Sequence, residues 1–459
     1  MFINRFEEKD FLNNLISSNK REVVILYGRR RVGKSALLKE VTKDKKVFYY
    51  TARKVSKAEQ LETFSRVLGS FLKIGNVSFK TWEDALRSLF TLSTKEKVIV
   101  VLDEFQYLAE NNEEILSVLQ ILLDEYENSM LKLFFCGSSI SFMEGVLSHN
   151  NPLFGRKSAV LKLNPVSFEH LKLFIPQYDY HQLLETYSIV GGVPYHLTLW
   201  DGTKSVLENI QNLFLKLGAP LKEEPSFILF QELREPAMYQ SILEALASGR
   251  NKLSEITSFI GETDSRKLQP YIKSLMTLKL IKRVSPALFK NPHRTKDFRY
   301  EIEDELFRFW YRYIFPYKEN VDLNEYQHVL ENIKADLTQY VSFEFEKQST
   351  QYVKKAFNLV QAGRYWAKDI EIDILGKDNN GRIYAGEVKW RNKKVGLKEY
   401  IGLKTKADKL RIPVDYFILI SKSGFEEDLF KLNENLYLIE FTKENGWVVR
   451  FSPDSSAER

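Results

Sequence analysis

The chain has a single cysteine, Cys136, in 459 residues. One thiol excludes an internal disulfide and any metal centre built from cysteines. Long hydrophobic runs are also missing: no uninterrupted apolar stretch approaches the roughly 18 residues of a membrane-spanning helix. The N-terminal MFINRFEEKD lacks the basic-then-apolar pattern of a secretory leader, so a cytoplasmic location, with no membrane partner, is the expectation. Charge is only weakly one-sided. Sixty-seven Lys and Arg against 61 Asp and Glu give +6, which admits an acidic partner such as nucleic acid but does not demand one. What remains is ordinary globular material, 44% hydrophobic and 28% charged. A chain of this length and composition is expected to build about two to four domains, each with its own core.

The most informative stretch is Glu22 to Leu38, EVVILYGRRRVGKSALL. The apolar run from Val23 to Tyr27 reads as a buried parallel strand, the chain turns at Gly28, and Gly33-Lys34-Ser35 opens a helix. Gly28 to Ser35 has the spacing Gly-x4-Gly-Lys-Ser of a phosphate-binding loop. Glycines let the backbone curl until its N–H groups converge on phosphate oxygens, and the helix N-terminus adds partial positive charge. The predicted nucleotide-holding residues are Gly28, Arg29, Arg30, Arg31, Val32, Gly33, Lys34, Ser35 and Ala36. Lys34 reaches for the β- and γ-phosphates of ATP, and the Ser35 hydroxyl ligates Mg²⁺.

Further on, Val98-Ile99-Val100-Val101-Leu102 ends in Asp103 and Glu104. At the C-terminal end of a buried strand, Asp103 is placed to hold Mg²⁺ with Ser35, and Glu104 to orient and deprotonate the attacking water. Leu131 to Cys136 reads as the next core strand, ending in Gly137-Ser138-Ser139. A polar residue there belongs beside the γ-phosphate; Ser138 and Ser139 are the candidates, with Ser139 preferred. Arg156, in the loop PLFGR, is placed to act on a neighbouring subunit's phosphate or to be an ordinary surface arginine.

GRRRVGKS, VIVVLDEFQ, FFCGSS, PLFGR and Gly191-Gly192-Val193-Pro194-Tyr195, in this order and spacing, resemble the AAA-type ATPases of the archaeal ATPase family, within the broader STAND group. The resemblance covers about the first 230 residues. It implies an α/β fold with a P-loop parallel sheet (1–165), a helical lid (166–235), nucleotide-dependent self-association, and a lid segment in which Gly192 and Pro194 approach ATP or ADP.

From Pro236 the texture changes. Met238 to Ser248, Leu253 to Ile260 and Arg266 to Leu278 read as three helices, the last capped by Asp264-Ser265. Ile281 to Val284 and Tyr300 to Ile302 read as a two-stranded wing. The pattern (236–319, with a connecting helix) is that of a winged helix-turn-helix. Its third helix offers Ser265, Arg266, Lys267, Gln269 and Lys273 to DNA, and the polar loop adds Lys290, His293, Arg294 and Lys296. A protein-packing spacer is the equal alternative. Glu305 to Pro316, ELFRFWYRYIFP, interleaves aromatics with arginine; at helical spacing it reads as a core helix before it reads as a base-stacking surface.

The last segment (320–459) is expected to hold a second constellation. Ala335 to Ala356 reads as a helix carrying Phe345-Glu346. Lys368 to Leu375 and Arg382 to Trp390 read as a hairpin joined through Asp378-Asn379-Asn380-Gly381. Glu387 and Lys389, two apart, share a strand face, and Asp373 lies on the partner strand. Two carboxylates and a lysine converging on one spot can hold Mg²⁺ and position a water for phosphodiester attack, with Asp373 and Glu387 as the metal ligands. Asp373 with Glu387-Val388-Lys389 resembles the PD-(D/E)xK nucleases, and more narrowly the C-terminal domain of unassigned function found behind archaeal-type ATPases. The resemblance assigns Glu346, with Glu344 as rival, to the helix glutamate and Trp366 to the aromatic before the Asp strand; no proline precedes Asp373 as it does in many of these nucleases. Three readings follow: an ATPase coupled to a DNA-processing or DNA-binding nuclease-like domain, a nucleotide-dependent switch whose nuclease-like domain is inactive, and a plain ATPase motor.

Overall fold

The structure, a computed structural model, describes residues 3–453 apart from 111, 150, 234, 289–296, 368 and 411. Phe2, Lys290, His293, Arg294, Lys296 and Lys368, all of which entered the reading above, lie outside the described residues. The chain divides into two compact units: residues 1–166 with 193–195, and residues 167–192 with 196–459.

The first unit is built on strands β1 (Glu22–Tyr27), β2 (Val47–Thr51), β3 (Val98–Asp103), β4 (Leu131–Gly137) and β5 (Ala159–Lys162). They form one parallel sheet in the order β2-β3-β4-β1-β5. β1, β3 and β4 are buried along their whole length, as near-continuous apolar runs covered on both faces must be. Alternate residues divide between two cores. Val23, Ile25, Val98 and Val100 join one, and Val24, Leu26, Ile99 and Val101 join the other. This order puts β4 between the strand that enters the phosphate loop and the strand that carries the two acids. The C-terminal end of β4 therefore opens between them, where ligands of open α/β sheets bind.

The second unit joins the expected lid, three-helix and C-terminal segments around one hydrophobic core that runs from Phe168 to Phe441. Helices Pro236–Ala247, Leu253–Ile260 and Gln269–Thr277 precede an antiparallel pair, β6 (Ile281–Val284) and β7 (Arg299–Ile302). The expected continuous third helix is corrected. A 3₁₀ turn, Ser265–Leu268, precedes an α-helix that starts afresh at Gln269 with Pro270 in its first turn, because proline has no N–H to continue the ladder from the preceding turn. Helix Glu305–Tyr313 is a core element: Phe307, Phe309, Trp310 and Tyr311 are buried.

The long helix starts at Gln327, earlier than Ala335, because Val329 and Ile333 are buried and extend its apolar face. It covers one face of a six-stranded sheet of β8 (Leu359–Ala367), β9 (Ile370–Asp378), β10 (Ile383–Lys389), β11 (Tyr416–Ser421), β12 (Leu436–Thr442) and β13 (Gly446–Phe451). Strands β8 to β10 are antiparallel, β10 to β12 parallel, and β13 is antiparallel at the edge. Helix Leu397–Asp408 covers the other face through Tyr400 and Leu403.

Candidate nucleotide site and a second carboxylate cluster

The phosphate loop is shaped by two glycines. A side chain at Gly28 would put its Cβ 2.2 Å from the Leu163 carbonyl oxygen, so no other residue fits this turn. Gly33 has φ 95°, a left-handed conformation that glycine adopts freely, and it caps helix Lys34–Val41. Buried Lys34 turns back on the loop: its Nζ donates to the carbonyls of Gly28 (2.9 Å) and Arg29 (2.8 Å). Burial lowers its pKa, partly offset by the charges of Cys136, Glu104 and Asp103. Val32 is buried, and its carbonyl accepts from Arg5 Nη2 at 3.3 Å; the same nitrogen reaches Asn164 O. Arg5 thus clamps the loop from the chain's start. Arg30 donates to the Tyr107 hydroxyl (2.7 Å), Arg31 stacks 4.2 Å over the Tyr195 ring, and Ala36 is exposed on the helix.

The acids meet the loop as expected from their strand. Ser35 Oγ donates to Asp103 Oδ2 at 2.8 Å, and Tyr49 OH to the same oxygen at 2.7 Å. Burial, then the Asp103 charge, raises the pKa of Tyr49 and also that of the Cys136 thiol beside it. A hydroxyl and a carboxylate oxygen brought together in this way suit a hard cation such as Mg²⁺. Glu104 sits at φ 53°, a strained left-handed residue at the strand end. Its Oε2 accepts from Ser138 Oγ (2.8 Å) and from Gln106 Nε2, which also donates to Ser138 Oγ at 3.1 Å.

Ser138, not Ser139, stands beside Glu104; Ser139 is the first cap of helix Ile140–Val146 and makes no cap bond with its side chain. β4 stops at Gly137, and by Ser139 the chain has already entered the N-terminus of the next helix. Arg156 is tied to its own chain through a two-pronged pair with Asp124 (2.8 and 2.7 Å) and a bond to Pro152 O (2.9 Å). Pro194 belongs to the first unit, while Gly192 belongs to the second. Tyr49 and Gln106 escaped the sequence reading of the site. Only Gln106, directly after the acidic strand end, had a local cue.

In the second unit, Asp373 on β9 and Glu387 and Lys389 on β10 come together. The Val388 N–H donates to Asp373 Oδ2 (2.8 Å), and Lys389 Nζ lies 2.6 Å from Glu387 Oε1 and 3.9 Å from Asp373 Oδ2. Lys406 takes the other Glu387 oxygen at 2.8 Å. Burial, then the charges of Glu387 and Glu346, pushes the Asp373 carboxyl up to about 7. Burial lowers the Lys389 pKa, but Asp373 and Glu387 outweigh it and the net direction is up. Glu346, paired with Arg364 at 2.8 Å, lies in the field of Lys389. Glu344 is instead fully buried, with Arg308 (3.1 Å) and Lys347 (3.4 Å) reaching in to it. Trp366 Nε1 donates to Asp297 at 3.0 Å. Among the described residues, no three His, Cys, Asp or Glu side chains gather as a ligand set.

A family model described as an ATPase domain predominantly from Archaea matches residues 2–199, and one described as Archaea bacterial proteins of unknown function matches 310–401. An uncharacterized protein of Methanocaldococcus jannaschii is 34% identical over 409 residues, which cover 86% of this chain and 88% of that protein. An uncharacterized ATP-binding protein of the same organism is 51% identical over 47 residues, 10% of this chain and 80% of that one. Among solved structures, the Walker-type ATPase of Pyrococcus abyssi shares the fold with a TM-score of 0.52 at 20% identity, over 68% of this chain and 96% of that one. With the loop, its lysine and the paired acids assembled on the parallel sheet, the chain belongs to the family of archaeal-type P-loop ATPases.

Proposed function

We propose that this ATPase hydrolyses Mg²⁺-bound ATP and that its nucleotide state controls a PD-(D/E)xK-like domain acting on nucleic acid. At the first site Lys34 leaves the loop carbonyls for the β- and γ-phosphates, Ser35 and Asp103 hold the cation, and Glu104 orients and deprotonates the water with Ser138 beside it. Mg²⁺ bound there supplies neutralisation of the charge that develops on the phosphates.

The observation that carries the second half is the meeting of Asp373, Glu387 and Lys389 on adjacent strands. Asp373 and Glu387 would hold the divalent cation and Lys389 the attacking water, while the buried, mutually repelling carboxylates are what such a cation relieves. Residues 236–302 fit a winged helix. Its exposed Arg266 and Lys267 are answered by Asp264 and Glu262, each at 2.9 Å, which favours a packing role over DNA reading. Nucleotide-dependent self-association belongs to the same reading. Arg156 acts across such an interface only by giving up Asp124.

A second reading, a switch with an inactive nuclease-like domain, is favoured by the two lysines that occupy both Glu387 oxygens. Incubation of plasmid DNA with the protein and Mg²⁺ or Mn²⁺ separates the two. The nuclease reading expects cleavage that disappears in Asp373→Ala and Lys389→Ala and is altered but not abolished in Lys34→Ala. ATP hydrolysis lost in Lys34→Ala, with DNA intact under every metal, supports the switch.

A further inference from the structure

Helix Glu305–Tyr313 has two faces. Its aromatics enter the core, while Arg308 and Arg312, one turn apart, line a pocket of about 360 Å³. Arg364 of β8 and the ring of Phe343 belong to the same wall. Arg308 and Arg364 stack over that ring at 4.6 and 5.6 Å. The pocket is of the size that takes a nucleotide.

The guanidinium groups are fixed by their far edges. Arg308 uses Nε toward Tyr340 OH (3.3 Å) and Nη2 toward Ser188 O (3.4 Å) and Glu344 (3.1 Å). Arg312 uses Nε and Nη2 on Asp336, at 3.0 and 2.6 Å, and Nε also on the Tyr313 hydroxyl (3.1 Å). Arg364 uses Nη2 on Glu346 at 2.8 Å, and its Nη1 is 3.9 Å from Glu301. Among the described residues, Nη1 of each donates no hydrogen bond, and the side chains are 12%, 40% and 25% exposed at Arg308, Arg312 and Arg364. Three arginines held by their Nε and Nη2 atoms in the wall of one cavity suit an oxyanion, since arginine holds phosphate with short, directional bonds. Glu301 and Glu346 also line the cavity, so the positive excess is small. Selectivity then rests on the aligned donors and the aromatic ring more than on bulk charge.

We propose that this pocket binds a phosphate-bearing nucleotide of a single nucleic-acid strand, its phosphate on the Nη1 edges of Arg308, Arg312 and Arg364 and its base packed along the stack that Arg308 and Arg364 form with Phe343. Packing against guanidinium planes and an aromatic ring accepts any base, so the site grips a strand without reading its sequence. Glu346 stands in the pocket wall and also interacts with Lys389 and Asp373, which makes the pocket the approach to the carboxylate cluster. That last step alone rests on the nuclease-like reading.

The test uses the full-length Lys34→Ala protein in metal-free buffer, which silences the phosphate loop and any cutting. Anisotropy of a short fluorescent single strand is followed with inorganic phosphate and AMP as competitors. Arg312→Gln and Arg364→Gln are expected to weaken strand binding roughly tenfold to a hundredfold each. Each is also expected to flatten the salt dependence by about 0.7 in log–log slope. Displacement by AMP at concentrations matching the strand supports the phosphate pocket and makes a free nucleotide its source. Wild-type affinity in a folded double variant overturns the proposal, as does failure of both strand and AMP to bind. If Arg364→Gln unfolds, Arg312→Gln decides alone, because that side chain is 40% exposed. Arginine-dependent binding without cleavage under Mg²⁺ or Mn²⁺ overturns the nuclease reading and leaves the pocket standing. Cleavage with arginine-independent binding does the reverse.

Discussion

The two carboxylate clusters are held by different chemistry. Asp103 and Glu104 are met by neutral donors, the hydroxyls of Ser35, Tyr49 and Ser138 and the amide of Gln106, while Lys34 spends its protons on loop carbonyls. Glu387 is gripped by two ammonium groups, and Asp373 is left with one backbone N–H and a distant lysine. Neutral donors orient a carboxylate while leaving it its charge, so the first site stands ready for a cation and a phosphate. Ammonium groups cancel that charge, so the second must first exchange a lysine for a metal or release a proton.

The comparison is broken most forcefully by removing one acid from each cluster. Glu104→Gln keeps the shape and a hydrogen-bonding group; its hydrolysis rate is expected to fall about 10²- to 10⁴-fold, with nucleotide binding and melting temperature nearly unchanged. Glu387→Gln leaves Lys389 and Lys406 without their buried counter-charge and is expected to cost about 1–3 kcal/mol of stability by chemical denaturation. A melting loss in Glu104→Gln equal to that in Glu387→Gln would erase the distinction.

Asp373 gives a sharper, pH-dependent test. Its folded carboxyl titrates near 7, above the ordinary 3.8, so the folded state holds a proton that the unfolded chain has already lost. Stability from this group is therefore full at acid pH and declines as pH rises from about 4 through 7. Asp373→Asn is expected to melt close to wild type at the acid end and above it at pH 8, and millimolar Mg²⁺ should narrow the gap by stabilising the wild type alone. Equal pH profiles would show that the carboxyl is not held in repulsion.

The smallest effect separates neighbours. Ser138→Ala is expected to slow hydrolysis by about tenfold, the worth of roughly one hydrogen bond to a charged group, whereas Ser139→Ala leaves the rate alone. The opposite pattern would mean that the strand end rotates when nucleotide binds.

What could be read from the chain follows the range of the interactions. The phosphate loop is local: Gly28, Gly33, Lys34 and Ser35 lie within one turn and carry their geometry in their spacing. The acids follow an apolar run that could only be a buried strand. The hairpin bearing Asp373, Glu387 and Lys389 was legible because alternation sets which side chains share a face. Ser138 and Ser139 were both candidates, and which of them meets Glu104 turned on a single step at the strand end. Arg5 and Tyr49 reach the site across the fold, Arg5 through Asn164, and no pattern along the chain joins such distant partners. The break at Gln269-Pro270 was visible as a proline and should have ended the helix there. The two arginines of ELFRFWYRY were seen, but which face they would take depended on the core that buried their aromatic neighbours.

The central claim is that Lys34 and the Asp103–Glu104 pair serve one bound triphosphate. Its most direct test is to titrate the purified full-length protein with labelled ATP and Mg²⁺ and follow phosphate release in the wild type, Lys34→Ala and Glu104→Gln. Saturable uptake and turnover in the wild type, loss of both in Lys34→Ala, and uptake without turnover in Glu104→Gln are expected. Undiminished uptake and turnover in Lys34→Ala would contradict the account.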